Sequence, residues 1–241
     1  MARKAVIVAA GLSSRLYPLT IDTPKALLDV GKETLLARSL RLVKKEFIAG
    51  IAVVVGYHAD SMGLAMGTAA QSIDNPFFRH CNNMGSLWMA KSFIGDDPFV
   101  YLHGDLIYSE RTLHDFLEAA AQPGESCIDL LTDFGEVDDE AMKVRVDENR
   151  RLVESNKSIP LNEAAGEWTG IAVIHQPDIV FAAIENHLMN VSLTDYDTAA
   201  FSTLARAGHE IRCIAASGDP WKEIDTLEDL ESARALFGED D

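Results

Sequence analysis

The chain has few cysteines, little positive charge and no long apolar run. Its three cysteines, Cys81, Cys127 and Cys213, are scattered over 241 residues. They have no metal-ligand spacing and form no disulfide framework, so they read as reduced, mostly buried thiols. Lysine and arginine number 21 against 38 acidic residues, a formal net charge of −17. A nucleic-acid backbone requires clustered cations, so nucleic acid is not an expected partner. No apolar stretch reaches the length of a bilayer span, and no membrane partner is expected. Met1-Ala2-Arg3-Lys4 leads straight into a short strand, without the apolar region and cleavage site of a secretory signal, which implies the cytoplasm. His58, His80, His103 and His209 lack paired spacing on a common face, so zinc is not expected. No Gly-x-Ser-x-Gly elbow appears.

What is present is the composition of an ordinary soluble protein, 47% hydrophobic and 24% charged. Lys4 to Ala9 reads as a first strand, and Glu33 to Phe47 as a helix with Lys44 and Lys45 near its end. Ile51 to Val55 is a β-branched run suited to a strand buried on both faces. A short helix follows around Asp60 to Met66, then a strand at Ser72 to Asn75, a helix at Leu87 to Phe93 and a central strand at Pro98 to His103. Helix Glu110 to Ala121 and strand Cys127 to Thr132 complete the first half. A βαβ start with short connections implies an α/β fold: a three-layer, Rossmann-like, doubly wound and mostly parallel sheet.

Beyond this point the pattern changes. Lys143 to Val146 and Arg151 to Glu154 form a hairpin around Asp147 to Asn149. Trp168 to Ile174 and Ile211 to Ala215 read as strands, and Pro177 to Leu188, Asp195 to Ala207 and Leu227 to Phe237 as helices. No repeat or linker interrupts the chain. The expectation is a single domain over 1–241, with a first α/β half at 1–135, a small β-rich lid or substrate layer at 136–220, and a closing segment and helix at 221–241.

One stretch organises the rest. Val8-Ala9-Ala10-Gly11-Leu12-Ser13-Ser14-Arg15 turns from a buried strand into small polar residues, and Pro24-Lys25 follows. Small residues admit a ligand close to the backbone, whose consecutive N–H groups form a concave anion site. Arginine offers a fork to phosphate oxygens and lysine a point charge. The stretch holds one glycine where a P-loop or a dinucleotide fingerprint needs two or three. It reads as a polyphosphate cradle at the carboxyl end of the first strand. Because the chain is so acidic, Arg15, Lys25 and a divalent cation would have to invert the local potential.

Two aspartates stand out. Asp105 follows Gly104 just past a central strand, at the edge where α/β sheets place ligands. Asp225 lies in Glu223-Ile224-Asp225-Thr226, directly before the last helix, where Asp225 or Thr226 could equally cap it. Two carboxylates from distant strand ends can share one Mg²⁺, which takes its other oxygen ligands from phosphates and water.

The string from Ala9 through Arg15 to Pro18-Leu19-Thr20 and Pro24-Lys25 resembles, almost residue for residue, the signature of the sugar-nucleotidyltransferase superfamily. The closing Glu223-Ile224-Asp225-Thr226-x-Glu228-Asp229-Leu230 is similar to the end of its phosphocholine cytidylyltransferases. The resemblance implies a cytidylyltransferase that joins CTP to a small phosphorylated or phosphonate acceptor, such as phosphocholine or 2-aminoethylphosphonate. It makes Lys25 and Arg15 the catalytic cations and Asp105 and Asp225 the Mg²⁺ ligands. It assigns Ala9, Ala10, Gly11, Ser13, Ser14 and Gly104 to the nucleotide. Asn82-Asn83-Met84-Gly85-Ser86-Leu87 resembles the segment lining the family's nucleotide pocket, so Asn83 and Ser86 join that set, although Asn83 could also cap the next helix. Gly56-Tyr57 resembles a pair that borders the base.

For the acceptor, the same resemblance implies Lys157 for the phosphate. Asp195-Tyr196-Asp197 resembles the family's acidic-aromatic stretch. A quaternary ammonium is best held by aromatic faces helped by carboxylates. Trp168, Tyr196, Trp221 and Phe201 could supply faces, and Glu167, Asp195 and Asp197 charge. A primary amine suits carboxylates with fewer aromatics. Two other readings stand beside this one: a sugar-1-phosphate nucleotidyltransferase using UTP, dTTP or GTP, and a non-catalytic nucleotide-binding regulator. The sequence leaves monomer or homodimer open.

Overall fold

A computed structural model describes residues 4–46, 48, 50–121 and 126–238. Phe47, assigned above to the first helix, lies outside the described residues, as do residues 1–3. Strand β1 (Lys4–Ala9) lies between β2 (Gly50–Val55) and β4 (Phe99–His103), parallel to both. Beyond β2 comes β3 (Gln71–Asp74), also parallel. On the other side β9 (Gly166–Ile174) runs antiparallel between β4 and β6 (Ile128–Asp133), and β10 (Ile211–Ala215) pairs parallel with β6. The spatial order is β10-β6-β9-β4-β1-β2-β3. The expected doubly wound, mostly parallel sheet is present, with β9 as its antiparallel member.

The two faces follow from the alternation of side chains along each strand. Ala5 and Ile7 of β1 pack with α1 (Leu35–Lys45), α2 (Ala59–Met66) and α5 (Glu110–Ala120). Val6 faces the opposite layer, made by α3 (Asn83–Met89), α6 (Pro177–Asn190) and α7 (Asp197–Arg206). The one-turn helix α4 (Lys91–Ile94) continues from α3. None of the described helices is long and apolar enough to cross a membrane.

The hairpin of β7 (Lys143–Val146) and β8 (Leu152–Ser155) joins the sheet through β9. Two short strands were not expected. β5 (Leu106–Tyr108) and β11 (Trp221–Glu223) pair antiparallel in a small separate sheet. This pairing brings the end of the chain to the carboxyl end of β4. Helix α8 (Leu227–Phe237) then packs Leu230, Ala233 and Phe237 against Leu16, Leu28 and Val30. The first loop and the last helix therefore share one apolar cluster, although the sequence separates them widely.

Gly104 sits where β4 leaves the sheet, and its N–H donates to the Val8 carbonyl over 2.8 Å. A Cβ there would lie 2.7 Å from Ala9 Cβ and 2.8 Å from the Val8 oxygen. Gly104→Ala should therefore destabilise the fold by about 1–3 kcal/mol through overpacking. For a chain of this size that is roughly 2–4 °C of melting temperature per kcal/mol, read by thermal unfolding. An unchanged melting temperature would show that this close approach is not needed.

Candidate active site

At the carboxyl ends of β1 and β4 a cleft of about 340 Å³ opens. One wall is the loop after β1. Ser13 adopts a left-handed backbone conformation with φ 52°. The fully buried Thr20 fixes it there, its hydroxyl donating to the Ser13 carbonyl over 2.8 Å. The Thr of the Pro-Leu-Thr triplet thus shapes the loop and does not face the cleft. Ala9, Ala10, Gly11, Ser13, Ser14 and Arg15 all line it.

Lys25 begins a short 3₁₀ turn, Lys25–Leu27, after Pro24. Its ammonium donates to Asp105 Oδ2 at 2.8 Å and to Asp225 Oδ1 at 2.9 Å. The other oxygen of Asp225, Oδ2, pairs with Arg15 Nη2 at 2.9 Å. Burial works against the lysine charge, but the two carboxylates outweigh it and hold Lys25 well above the usual lysine range. Burial likewise pushes Asp105 up, and Lys25 reverses this, leaving its carboxyl below the ordinary value. Neither aspartate caps a helix. Ser109 caps α5, and Thr226 with Asp229 forms a capping box on α8, leaving Asp225 free to face the cations.

Glu223 completes the group. Oxygens of Asp105, Glu223 and Asp225 all lie within 4.8 Å of one another. Desolvation and the charges of Asp105 and Asp225 push the Glu223 carboxyl up to about 7. Glu223 was not foreseen as a member of this group. The signal was its spacing, since residues two apart on an extended segment face the same side.

Asn83, Ser86 and Gly104 also line the cleft. Asn82, not Asn83, caps α3, its side chain accepting from the Asn83 N–H at 2.9 Å. Asn83 Oδ1 instead accepts from the Asp197 N–H at 3.1 Å, and its Nδ2 lies 3.1 Å from His103 Nε2. His103 lines the cleft as well and was not foreseen.

Other candidates lie elsewhere. Gly56 and Tyr57 are not among the lining residues. A Cβ at Gly56 would lie 2.6 Å from Phe78 Cβ, so this glycine makes room for Phe78, which does line the cleft. Tyr57 supports the loop from behind, its N–H donating to the Ala10 carbonyl at 3.2 Å and its hydroxyl to the Ile21 carbonyl.

At the far end Lys157, Trp168 and Tyr196 line the cleft, whereas Glu167, Asp195 and Asp197 do not. Asp195 pairs with His187 Nε2 at 2.8 Å. Asp197 is fully buried and accepts from the Tyr101 hydroxyl at 2.6 Å. Phe201 is core, and Trp221 donates its indole N–H to Asp133 at 2.9 Å. Trp168 and Tyr196 stay at the cleft, but their expected acidic partners are dispersed, because the buried network of α7 claims Asp197 and His187 claims Asp195.

Two cations beside three clustered carboxylates, set at one edge of a doubly wound sheet, fit the class of α/β nucleotidyltransferases. Residues 5–138 match the MobA-like NTP transferase domain, and the chain belongs to that family. It is 30% identical over 239 residues to a bifunctional IPC transferase and DIPP synthase of Aquifex aeolicus, covering 97% of this chain and 51% of that protein. A choline-phosphate cytidylyltransferase of Streptococcus pneumoniae is 35% identical over 114 residues, 45% of this chain and 50% of that one. The chain thus spans about half the length of these curated relatives. Glucose-1-phosphate thymidylyltransferases also match. The solved inositol-1-phosphate CTP transferase of T. maritima superposes with a TM-score of 0.81 at 21% identity, over 99% of this chain and 97% of that one, which shows the shared fold.

Glu167, next to Trp168 at the far end of the cleft, gives a pH signature. Burial, Asp138 and Asp133 push its carboxyl from 4.5 to about 7, against a backbone hydrogen bond and Lys157. Across that window the folded chain holds a proton that the unfolded chain has lost, so stability falls as pH rises through it. Glu167→Gln removes this loss. Urea midpoints should show the variant gaining on the unmodified chain between pH 5 and pH 8. A constant difference would mean that Glu167 titrates normally.

Proposed function

We propose that the chain is a cytidylyltransferase that transfers CMP from CTP to a small phosphorylated or phosphonate acceptor. An acceptor oxygen forms a new bond to the α-phosphorus. The bond from that phosphorus to the bridging oxygen breaks, and pyrophosphate leaves with the electron pair. Such a transfer needs positioning and charge neutralisation more than proton movement. The observation that carries the reading is Lys25, bridging Asp105 and Asp225 in the cleft that the Gly11–Arg15 loop also lines.

In this reading the loop N–H groups and Arg15 hold the β- and γ-phosphates, and Lys25 neutralises charge that grows on the α-phosphate. Lys157 holds the acceptor phosphate. The carboxylates suit Mg²⁺. They offer only oxygen, and Asp105 Oδ1 is buried without a hydrogen-bond partner. Asp105 and Asp225, with Glu223 beside them, would hold the ion, which supplies charge neutralisation to phosphate oxygens.

The acceptor end keeps two aromatic rings but lacks a carboxylate to offset a cationic acceptor, which supports an acceptor without an ammonium group. Apart from the three clustered carboxylates, its lining offers Lys157, Thr169, Trp168, Tyr196 and Met142, with no acidic side chain. The cytidylyltransferase relatives support CTP as donor, and the thymidylyltransferase relatives keep a sugar-1-phosphate enzyme as the competing outcome.

The test is a pyrophosphate-release panel pairing CTP, UTP, dTTP and GTP with inositol phosphate, phosphocholine, phosphoethanolamine, 2-aminoethylphosphonate and sugar phosphates. Turnover should be greatest with CTP and inositol phosphate. Preference for dTTP or UTP with a sugar phosphate would establish the competing reading, and CTP binding without turnover on any acceptor a regulator. Lys25→Ala should lower kcat by about 10²–10³-fold, the scale of one lost transition-state contact, and weaken CTP binding far less. Weaker binding with unchanged kcat would reject the role given to Lys25.

A further inference from the structure

We propose that Lys143, which does not itself line the cleft, is the positioning residue for its acceptor end. Lys143 opens the hairpin strand β7, where a solvated lysine would be ordinary. Instead it is 1% exposed. Its ammonium makes no ion pair among the described residues and donates to two backbone carbonyls, of Asp139 and Lys157, each at 2.8 Å. A buried ammonium is costly unless its donors are satisfied, and here the two carbonyls satisfy it.

The two carbonyls belong to two tight loops. In one, Asp138 Oδ1 accepts from the N–H groups of Glu140 and Ala141, both at 2.9 Å. In the other, Asn156 Oδ1 accepts from the Ser158 N–H at 2.9 Å. The Asn156 N–H also donates to the Lys143 carbonyl at 3.0 Å, so one residue grips the second loop from both its side chain and its main chain. Between the loops stands Met142, whose carbonyl accepts from the Trp168 N–H at 2.9 Å. Lys157, Met142 and Trp168 all line the cleft. Lys157 Nζ lies 5.6 Å above the Tyr196 ring, and its nearest carboxylate, Glu140, is 4.0 Å away. Neither contact fixes the backbone that carries Lys157. The staple from Lys143 does.

The role rests on the reading of Lys157 as the acceptor-phosphate ligand, so the test has one arm that depends on that reading and one that does not. The independent arm is limited proteolysis of Lys143→Met with trypsin, which cuts after lysine. The Lys157–Ser158 bond should be protected in the unmodified chain and cut in the variant, giving a fragment that ends at Lys157 by mass spectrometry. An identical digestion pattern overturns the staple. The second arm is steady-state kinetics with CTP and inositol phosphate. The acceptor KM should rise about tenfold or more, with the CTP KM changed less than about twofold. In combination with Lys157→Ala the effect should vanish, since the staple acts through Lys157. An equal rise in both KM values, or additive losses, overturns the positioning role. Lys143→Gln is read in the same way if Lys143→Met does not fold. Absence of turnover by the unmodified chain overturns the cytidylyltransferase reading and the acceptor role with it, and leaves the digestion to decide the staple.

Discussion

A buried lysine between two aspartates is the contact on which the rest of this structure depends. Lys25 comes from the loop after the first strand, Asp105 from the end of a central strand, and Asp225 from the last few residues before the final helix. Bringing them together requires the sheet order, the small β5–β11 pairing and the apolar contact of α8 with Leu16, Leu28 and Val30. Without the ammonium, three carboxylates would crowd one partly buried site in a chain whose formal charge is already −17. With it, part of that charge is offset from within, and Arg15 draws the Gly11–Arg15 loop onto the same group. The same geometry that stabilises the ligand-free chain sets cations and acidic oxygens side by side. A metal-bound triphosphate would meet both.

The residues of the opening motif divide into two kinds. Arg15 and Lys25 project into the cleft. Thr20 and Tyr57 work behind it, one holding Ser13 in its left-handed turn and the other buttressing Ala10. Gly104 and Gly56 serve by having no side chain, each where a Cβ would collide with a neighbour. A short sequence motif of this kind records a backbone shape as much as a set of ligands. Lys143 extends the pattern to the far end of the cleft, where a buried charge organises two loops that side-chain contacts alone would leave loose.

Much of the fold was legible because its signals are local. The β-branched run Ile51 to Val55 and the apolar stripe of α1 each declare their own burial, and their alternation orders the layers. The strands β5 and β11 were not legible, since each has three residues and exists only by pairing with the other across the sheet edge. Asp225 was legible through its motif, while its freedom from capping depended on Thr226 and Asp229, which only the helix geometry decides. Asp195 and Asp197 suggested a cation cage through the resemblance of Asp195-Tyr196-Asp197 to an acidic-aromatic stretch of the family. In three dimensions one turns to His187 and the other into a buried network with Tyr101, a distinction that sequence spacing cannot carry. Lys143 looked like any hairpin lysine, because its two partners are backbone carbonyls and leave no trace in side-chain identity.

The most direct test of the central claim is a crystal structure of the chain with Mg²⁺ and a non-hydrolysable CTP analogue. The account predicts the triphosphate along residues 11–15, Lys25 in contact with a phosphate oxygen, and the ion bound by Asp105 and Asp225. A nucleotide bound elsewhere, with Lys25 still closed between the two aspartates, would contradict it.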